Sequence, residues 1–136
     1  MNTIISKRFF SENVAELVVE APLIARSRKA GHFVIVRVDK RGERMPLTIS
    51  DADVEKGTIT LVVQRIGVSS TKLCALEPGD QVADLVGPLG KATDIKNFGT
   101  VVCACGGVGA APMLPIAKAL KQAGNRVITV LAARTA

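Results

Sequence analysis

With 136 residues, of which 48% are hydrophobic, the chain can form one packed domain, or one small domain and part of a second. Its only aromatic residues are four phenylalanines. This argues against a nucleic-acid module that stacks bases on aromatic side chains, although the net charge is +6. No acid follows Asp94, whereas lysine and arginine continue beyond it, so we expect a locally positive C-terminal part that suits an anionic nucleotide.

The three cysteines do not match a disulfide framework or a metal site. Cys103 and Cys105 are two residues apart on a predicted strand and therefore share a face, but no second pair or histidine cluster joins them or Cys74. We interpret all three as buried, reduced thiols and predict a cytoplasmic location. The sequence has no signal-peptide core and no apolar run of membrane-spanning length, so we expect no membrane insertion.

Alternating apolar residues and turn signals divide the first part of the chain into short strands. The predicted strands are two segments of residues 3–20, separated by a turn at 11–13, followed by residues 31–38, 45–50, 58–64 and 81–86. We interpret residues 21–30 as a connector and residues 51–57 as a charged turn. Residues 71–76 predict one or two helical turns with a serine or threonine N-cap. Together these elements predict a small antiparallel Greek-key β-barrel over residues 1–97.

The pattern then changes to strand, helix and strand. We predict a strand over residues 99–105, a helix over about 109–123 and a strand over 127–132. These elements form one βαβ unit, a partial α/β domain over residues 98–136. One βαβ unit cannot cover both faces of a parallel sheet. We therefore expect either a partner that covers it or a longer protein of which this chain is an N-terminal fragment.

The βαβ unit contains a glycine turn between its first strand and its helix. Gly107-Val108-Gly109 is followed by Ala110-Ala111-Pro112, which makes the segment a variant of the Gly-x-Gly-x-x-Gly dinucleotide fingerprint. Glycines let the backbone approach a phosphate, and the free N–H groups of the first helical turn point at its charge. A tight turn without a ligand is the alternative interpretation.

The order of a barrel and a glycine-rich βαβ unit resembles the ferredoxin–NADP reductase superfamily, and five motifs across the chain carry this resemblance. Gly31-His32-Phe33 resembles the Gly-Gln-Phe that starts a strand in that family. The other four motifs are similar to the family's flavin strand, its pyrophosphate turn, the end of its barrel and its nicotinamide loop. They are Arg44-Met45-Pro46-Leu47-Thr48, Gly67-Val68-Ser69-Ser70-Thr71, Gly87-Pro88-Leu89-Gly90 and Gly106-Gly107-Val108-Gly109-Ala110-Ala111-Pro112.

Within the superfamily, the Arg-x-Pro-Leu-Thr and Gly-Gly-Val-Gly-x-Ala-Pro motifs look most like the flavin subunits of two-component enzymes. These are the small subunit of NADH-dependent reduced ferredoxin:NADP oxidoreductase, also called sulfide dehydrogenase, and the electron-transfer subunit of dihydroorotate dehydrogenase. The resemblance implies a flavoprotein oxidoreductase subunit that passes hydride between NAD(P)H and FAD. It also implies that electrons leave to a larger iron–sulfur or flavin subunit, or to ferredoxin. A [2Fe–2S] centre is expected only in a further C-terminal part.

The resemblance implies roles for individual residues. Arg44 is expected to pair with the flavin pyrophosphate, and Thr48 to hydrogen-bond the reactive edge of the flavin as the catalytic residue. Because Arg44 lies one residue farther from the threonine than in the common family pattern, a solvated surface arginine is the alternative. Arg134 would face a nucleotide 2′-phosphate and favour NADP(H), unless it is a plain surface arginine. The other predicted cofactor-binding residues are Met45, Pro46, Leu47, Gln64, Gly67, Ser69, Ser70, Thr71, Gly87, Pro88, Gly90, Gly106, Gly107, Val108, Gly109, Ala110 and Pro112.

Two other functions remain open from the sequence. A non-catalytic flavin-binding or assembly fragment would hold FAD without its reduction by NADH or NADPH. A regulatory barrel would bind no flavin at all. The colour of the purified protein, and its bleaching by a nicotinamide nucleotide, distinguish these functions from the oxidoreductase subunit.

Overall fold

The computed structural model describes residues 2–133. Its strands are β1 (Ile4–Ser11), β2 (Val14–Glu20), β3 (Phe33–Arg37), β4 (Arg44–Asp53), β5 (Thr58–Gln64), β6 (Asp84–Leu89), β7 (Thr100–Gly106) and β8 (Arg126–Ala132). Its helices are α1 (Pro22–Ser27), α2 (Val68–Ala75) and α3 (Ala110–Gln122), and a 3-10 turn (Gly107–Gly109) leads from β7 into α3. The first six strands form an antiparallel sheet in the order β1-β2-β5-β4-β3-β6, whereas β7 and β8 pair separately.

The six-stranded sheet closes on itself at the first residues of the chain. Thr3 forms a bridge with Gln81, and the Ile4 N–H donates to the Asp80 carbonyl at 2.8 Å. The Gly79 N–H donates in turn to the Ile4 carbonyl, also at 2.8 Å. These bonds join β1 to the segment that leads into β6. The predicted antiparallel barrel is therefore confirmed.

Strand alternation builds the core of the barrel. On β2 the alternate residues Ala15, Leu17 and Val19 are buried, and Leu17 pairs directly with the buried Leu61 of β5. Leu73 of α2 belongs to the same buried cluster. Because each large aliphatic side chain contributes roughly 1.5–3 kcal/mol on burial, this cluster is the main support of the strands around it.

The connector predicted over residues 21–30 was wrong, because it contains helix α1. Pro22 occupies the first turn, where the N–H that proline lacks would have no helical partner. Ile24 and Ala25 are buried against the barrel. The helix is only one and a half turns long, which is too short for a hydrophobic period to be visible in the sequence.

Two strands extend beyond their predicted ends. β4 continues to Asp53, which pairs with Thr58, so the charged turn predicted over residues 51–57 is shorter than expected. β6 runs to Leu89, and the Gly87-Pro88-Leu89-Gly90 motif therefore begins inside this strand instead of after it. In both cases pairing with a neighbouring strand extends the element past its apparent turn signal.

The βαβ unit has the predicted arrangement. β7 and β8 pair in parallel, with Thr100 opposite Arg126, and α3 connects them. α3 packs against one face of this pair and against β4 of the barrel. On the opposite face Val102, Ile128 and Val130 are exposed. No helix in the described part of the chain is long and apolar enough to cross a membrane.

Asn125 holds together the junction between the barrel and the βαβ unit. Its side chain is 6% exposed, and its Oδ1 accepts hydrogen bonds from the N–H groups of Phe98 at 2.6 Å and Gly99 at 3.0 Å. Its Nδ2 donates to the carbonyls of Lys96 and Leu120, at 2.9 Å each. One buried amide therefore connects the segment before β7 to the end of α3.

We expect Asn125→Ala to lower the free energy of unfolding by about 2–4 kcal/mol, because buried backbone groups lose their partners. Urea denaturation of the variant measures this loss. Asn97→Ala is the matched control, since Asn97 is exposed and accepts one hydrogen bond, from the Gly99 N–H at 2.9 Å. Equal losses in the two variants would contradict the special role of Asn125.

Candidate functional site

A cleft of about 410 Å³ lies between β4, the end of β5 and the first turn of α3, and is called the β4 cleft below. Its lining is apolar except for the side chains of Thr48, Gln64 and Ser70. A lining of this kind suits the ring system of a cofactor, which needs apolar contact and a few oriented polar groups. The predicted cofactor-binding residues that line it are Met45, Pro46, Leu47, Thr48, Gln64, Ser70, Val108 and Pro112.

A larger cleft, of about 680 Å³, lies at the carboxyl ends of β7 and β8 and is called the β7 cleft. Cys105, Thr129 and Leu131 come from the strand ends, Glu16 and Ser50 come from β2 and β4 of the barrel, and one face of α3 forms a further part of the lining. Ligands of open α/β sheets bind outside the carboxyl ends of parallel strands. The predicted residues that line this cleft are Gln64, Gly107, Val108 and Ala110.

The two clefts share one wall. Four residues line both of them: Val62 and Gln64 at the end of β5, Val108 in the 3-10 turn and Ala111 at the start of α3. Val62 and Gln64 are two residues apart and therefore lie on the same face of the strand. A ligand in one cleft would thus lie directly beside a ligand in the other.

The glycine loop leaves its backbone open to the β7 cleft. Gly107 has a φ of +56°, and no neighbouring heavy atom lies within 4 Å of the position of a Cβ on it. For Gly106 the nearest atom to a Cβ is the Ala132 carbonyl oxygen, at 3.8 Å. Gly109 follows, and the first turn of α3 contains no acid. The loop therefore has room for an anionic group close to its backbone.

Helix α2 begins three residues earlier than predicted, because the side chain that caps it, that of Ser70, lies within its first turn. The Ser70 hydroxyl accepts hydrogen bonds from the N–H groups of Ile66 and Gly67, at 2.9 Å each, and donates to the Gly67 carbonyl at 3.2 Å. The predicted serine or threonine N-cap was therefore wrong, and Gly67 holds that position. Ser69 and Thr71 lie on the same turn but line neither cleft.

Arg44 also lies outside both clefts. Its guanidinium is about half exposed and lies 3.6 Å from a carboxylate oxygen of Asp84, which forms an ion pair with Arg37 as well. Arg37 and Arg44 are directly opposite on β3 and β4, so Asp84 offsets the repulsion of two cations. The contact of Arg44 with a pyrophosphate stays a prediction, and Arg134 lies outside the described residues.

Gly87 and Gly90 pack against β3 and line neither cleft. A Cβ on Gly87 would lie 2.8 Å from Cγ1 of Val34, and a Cβ on Gly90 would lie 2.7 Å from the Phe33 ring. The close approach of β6 to β3 is a structural reason for glycine at both positions. Contact of these residues, or of Pro88, with a cofactor stays a prediction.

The sequence did not point to Ser50, on β4. Ser50 is the extra residue of a β-bulge, because the residues on either side of it pair with adjacent residues of β5. Its side chain is 5% exposed, and its Oγ donates a hydrogen bond to the Ala111 carbonyl at 3.2 Å. Next to it, Asp51 pairs with Lys118 of α3 at 3.4 Å. These contacts attach the start of α3 to the barrel.

All three cysteines are free, and Cys74 and Cys103 are buried as predicted. The prediction for Cys105 was wrong: this residue is partly exposed, because it lines the β7 cleft. Burial raises the pKa of the Cys74 thiol, although the charges of Arg65 and Lys7 act in the opposite direction. Among the described residues, no group of three or more histidine, cysteine or acidic side chains forms a metal site.

Because Cys105 is partly exposed whereas Cys74 and Cys103 are buried, we expect iodoacetamide to label Cys105 well before the other two. Because its pKa is raised, the Cys74 thiol stays protonated at neutral pH. Its labelling rate should therefore keep rising at alkaline pH values at which the labelling rate of an ordinary thiol no longer changes. Peptide mass spectrometry at several times and pH values measures both effects. Cys105→Ser should remove the fast phase, and fast labelling of Cys74 would contradict this assignment.

Comparison with known proteins relates the chain to electron-transfer subunits, although no protein-family model matches it. It is 42% identical to the dihydroorotate dehydrogenase B (NAD(+)) electron transfer subunit homolog of Thermotoga maritima, over 99% of this chain and 48% of that protein. It is 30% identical to the dihydroorotate dehydrogenase B (NAD(+)) electron transfer subunit of Geobacillus thermodenitrificans, over 95% of this chain and 52% of that one. The chain spans about half the length of these relatives.

A solved structure of NADH-dependent reduced ferredoxin-NADP oxidoreductase, studied for flavin-based electron bifurcation, matches the chain with a TM-score of 0.98 and 41% identity. The match covers 100% of this chain and 49% of that one. The chain therefore has a ferredoxin reductase-like fold. The resemblance to this superfamily that its motifs indicated is confirmed.

Proposed function

Because the chain is a homologue of electron-transfer subunits with a ferredoxin reductase-like fold, we propose that it is the cofactor-binding part of a flavoprotein oxidoreductase subunit. In this function it brings NADH or NADPH together with FAD for hydride transfer, and electrons pass on to a partner. The observation that supports this proposal most strongly is the wall shared by the two clefts. It allows two ligands to lie side by side, as a hydride transfer between them requires.

FAD fits the β4 cleft. When bound, it supplies the redox chemistry, and the chain supplies its position and electrostatic surroundings. Pro46 and Leu47 offer apolar contact to the ring, and the Thr48 hydroxyl offers a hydrogen bond to its reactive edge. The first turn of α2 contains no acid, so its free N–H groups suit the pyrophosphate.

NADH or NADPH fits the β7 cleft. The open backbone at Gly107 accommodates a phosphate, and no acid follows Asp94 in the sequence. The carboxylate of Glu16, which also lines the cleft, lies 3.4 Å from the Arg8 guanidinium, which offsets its charge. In this proposal Arg134 favours NADP(H), whereas the names of the curated relatives carry NAD(+). The choice of nucleotide is therefore part of the test below.

The shared wall serves the reaction by excluding water and by orienting the two ligands. Val62, Val108 and Ala111 present apolar surface to both clefts, and Gln64 adds a neutral amide that can donate or accept a hydrogen bond. With both ligands bound, hydride would pass directly between their adjacent rings, so no side chain has to act as an acid or a base. Holding the reactants in this arrangement is the main contribution of the chain.

The proposal has consequences beyond the site. Electrons leave to a larger iron–sulfur or flavin subunit or to ferredoxin, and a [2Fe–2S] centre is expected outside this chain. Residues 1–97 form the FAD-binding barrel, and residues 98–136 form part of an NAD(P)-binding domain. The free cysteines favour a reducing compartment such as the cytoplasm.

An absorption spectrum tests the proposed function. We expect flavin bands after addition of FAD and removal of the unbound excess, and bleaching of these bands under anaerobic NADH or NADPH. Comparing the two nucleotides at equal concentration gives the preference. Flavin bands that persist with both nucleotides would favour a non-catalytic flavin-binding role, and no bands would favour a regulatory barrel.

Thr48→Val should slow flavin reduction about fivefold, because it removes one hydrogen bond, worth about 1 kcal/mol, at nearly constant volume. Stopped-flow measurement with saturating nucleotide gives this rate constant. Thr48→Ser keeps the hydroxyl and should stay close to the wild-type rate. Wild-type kinetics in Thr48→Val would remove Thr48 from the set of catalytic residues.

A further inference from the structure

Helix α3 contains a proline, Pro115, in its interior. In an α-helix each carbonyl accepts a hydrogen bond from the N–H four residues later, so the partner of the Ala111 carbonyl would be residue 115. Proline has no N–H, and its ring crowds the carbonyl four residues before it. The Ala111 carbonyl therefore takes a donor from outside its regular helical ladder.

Ser50 supplies this donor. Its Oγ lies 3.2 Å from the Ala111 carbonyl oxygen in a part-buried contact, and Ser50 itself is 5% exposed. The β-bulge at Ser50 takes this residue out of the pairing with β5, and bulges of this kind commonly redirect a side chain near a functional site. The bulge residue of β4 thus donates a hydrogen bond to the carbonyl that the proline in α3 leaves without its helical donor.

This hydrogen bond joins the two halves of the proposed site. Ala111 belongs to the wall that both clefts share, and Ser50 lies two residues after Thr48 on β4. A second polar contact between α3 and β4 is the Lys118–Asp51 pair, whose side chains are about half exposed. Solvent screens such a pair, so it holds the two elements together only weakly.

We propose that Ser50 is a positioning residue for hydride transfer. The inference rests on the proposed function, in which FAD occupies the β4 cleft and NADH or NADPH occupies the β7 cleft. By binding the carbonyl that Pro115 leaves without a helical donor, Ser50 sets how closely the glycine loop approaches β4. Hydride transfer depends steeply on the distance between donor and acceptor, so loss of the bond slows the transfer without removing either ligand.

The test uses Ser50→Ala in the full-length protein, loaded with FAD and mixed anaerobically with NADH or NADPH. We expect the rate constant of flavin reduction at saturating nucleotide to fall about tenfold to a hundredfold, as for a small misplacement of the reactants. Flavin content and nucleotide Kd should remain near their wild-type values. Ser27→Ala is the matched control, because the exposed Ser27 hydroxyl also donates to a helical carbonyl, that of Leu23, at 2.9 Å.

A Ser50→Ala/Pro115→Ala double variant separates positioning from stability. Alanine at 115 returns an N–H to the helix, so the Ala111 carbonyl regains a donor. We expect the thermal stability that Ser50→Ala loses to be largely recovered, while flavin reduction remains slow. A residue with only a structural role would show recovery of both properties together. If Ser50→Ala alone fails to fold, the rate of flavin reduction in the double variant still tests the inference.

The inference is overturned by a wild-type reduction rate in Ser50→Ala, or by parallel recovery of rate and stability in the double variant. These results leave the proposed function intact as long as NADH or NADPH reduces the flavin of the wild-type protein. If neither nucleotide reduces that flavin, the proposed function fails, and the inference fails with it.

Discussion

The position of α3 on the barrel depends on its packing against β4 and on the carbonyl of Ala111, whose helical donor Pro115 removes. A fully buried carbonyl without a partner costs about 1–3 kcal/mol, that of Ala111 is part-buried, and an exposed ion pair such as Lys118–Asp51 contributes about 0–1 kcal/mol. The bond from Ser50 therefore helps to fix where the helix begins relative to β4. Because the glycine loop leads directly into this helix, the same bond helps to fix where the loop lies beside the β4 cleft.

This arrangement requires a rigid β4. The strand lies between β5 and β3 in the sheet, and the pairing of the first residues of the chain with the segment before β6 closes the barrel around it. Ile49, one residue after Thr48, is buried in the barrel core and pairs with the buried Leu61. Residues 45–48 of β4 line the β4 cleft, and two of them, Met45 and Leu47, also pack against the barrel core. Sites on regular strands are positioned more precisely than sites on loops.

Local patterns were sufficient to predict the barrel and the βαβ unit, because strand alternation and glycine turns are properties of adjacent residues. Most of the predicted residues of the two clefts came from the resemblance to the superfamily. Features that depend on distant residues could not be predicted. The bulge at Ser50 arises from the register between β4 and β5, and the ion pair of Arg44 needs Asp84, which is 40 positions away in the sequence. The sequence also contained no sign that the glycines of the Gly-Pro-Leu-Gly motif make room for Phe33 and Val34, whereas their contact with a cofactor stays a prediction.

The polarity of the clefts limits the kind of chemistry that this site can perform. Thr48, Gln64 and Ser70 are neutral, and the carboxylate of Glu16 in the β7 cleft lies 3.4 Å from the Arg8 guanidinium. Proton transfer would need a side chain that exchanges a proton with the reactant, and the shared wall offers only apolar groups and one amide. Hydride transfer needs no such group, because a hydrogen nucleus and two electrons move together between adjacent rings. In the proposed function, a neutral wall between two ligands is sufficient for that reaction, and the Ser50–Ala111 bond would be the contact through which the chain controls their separation.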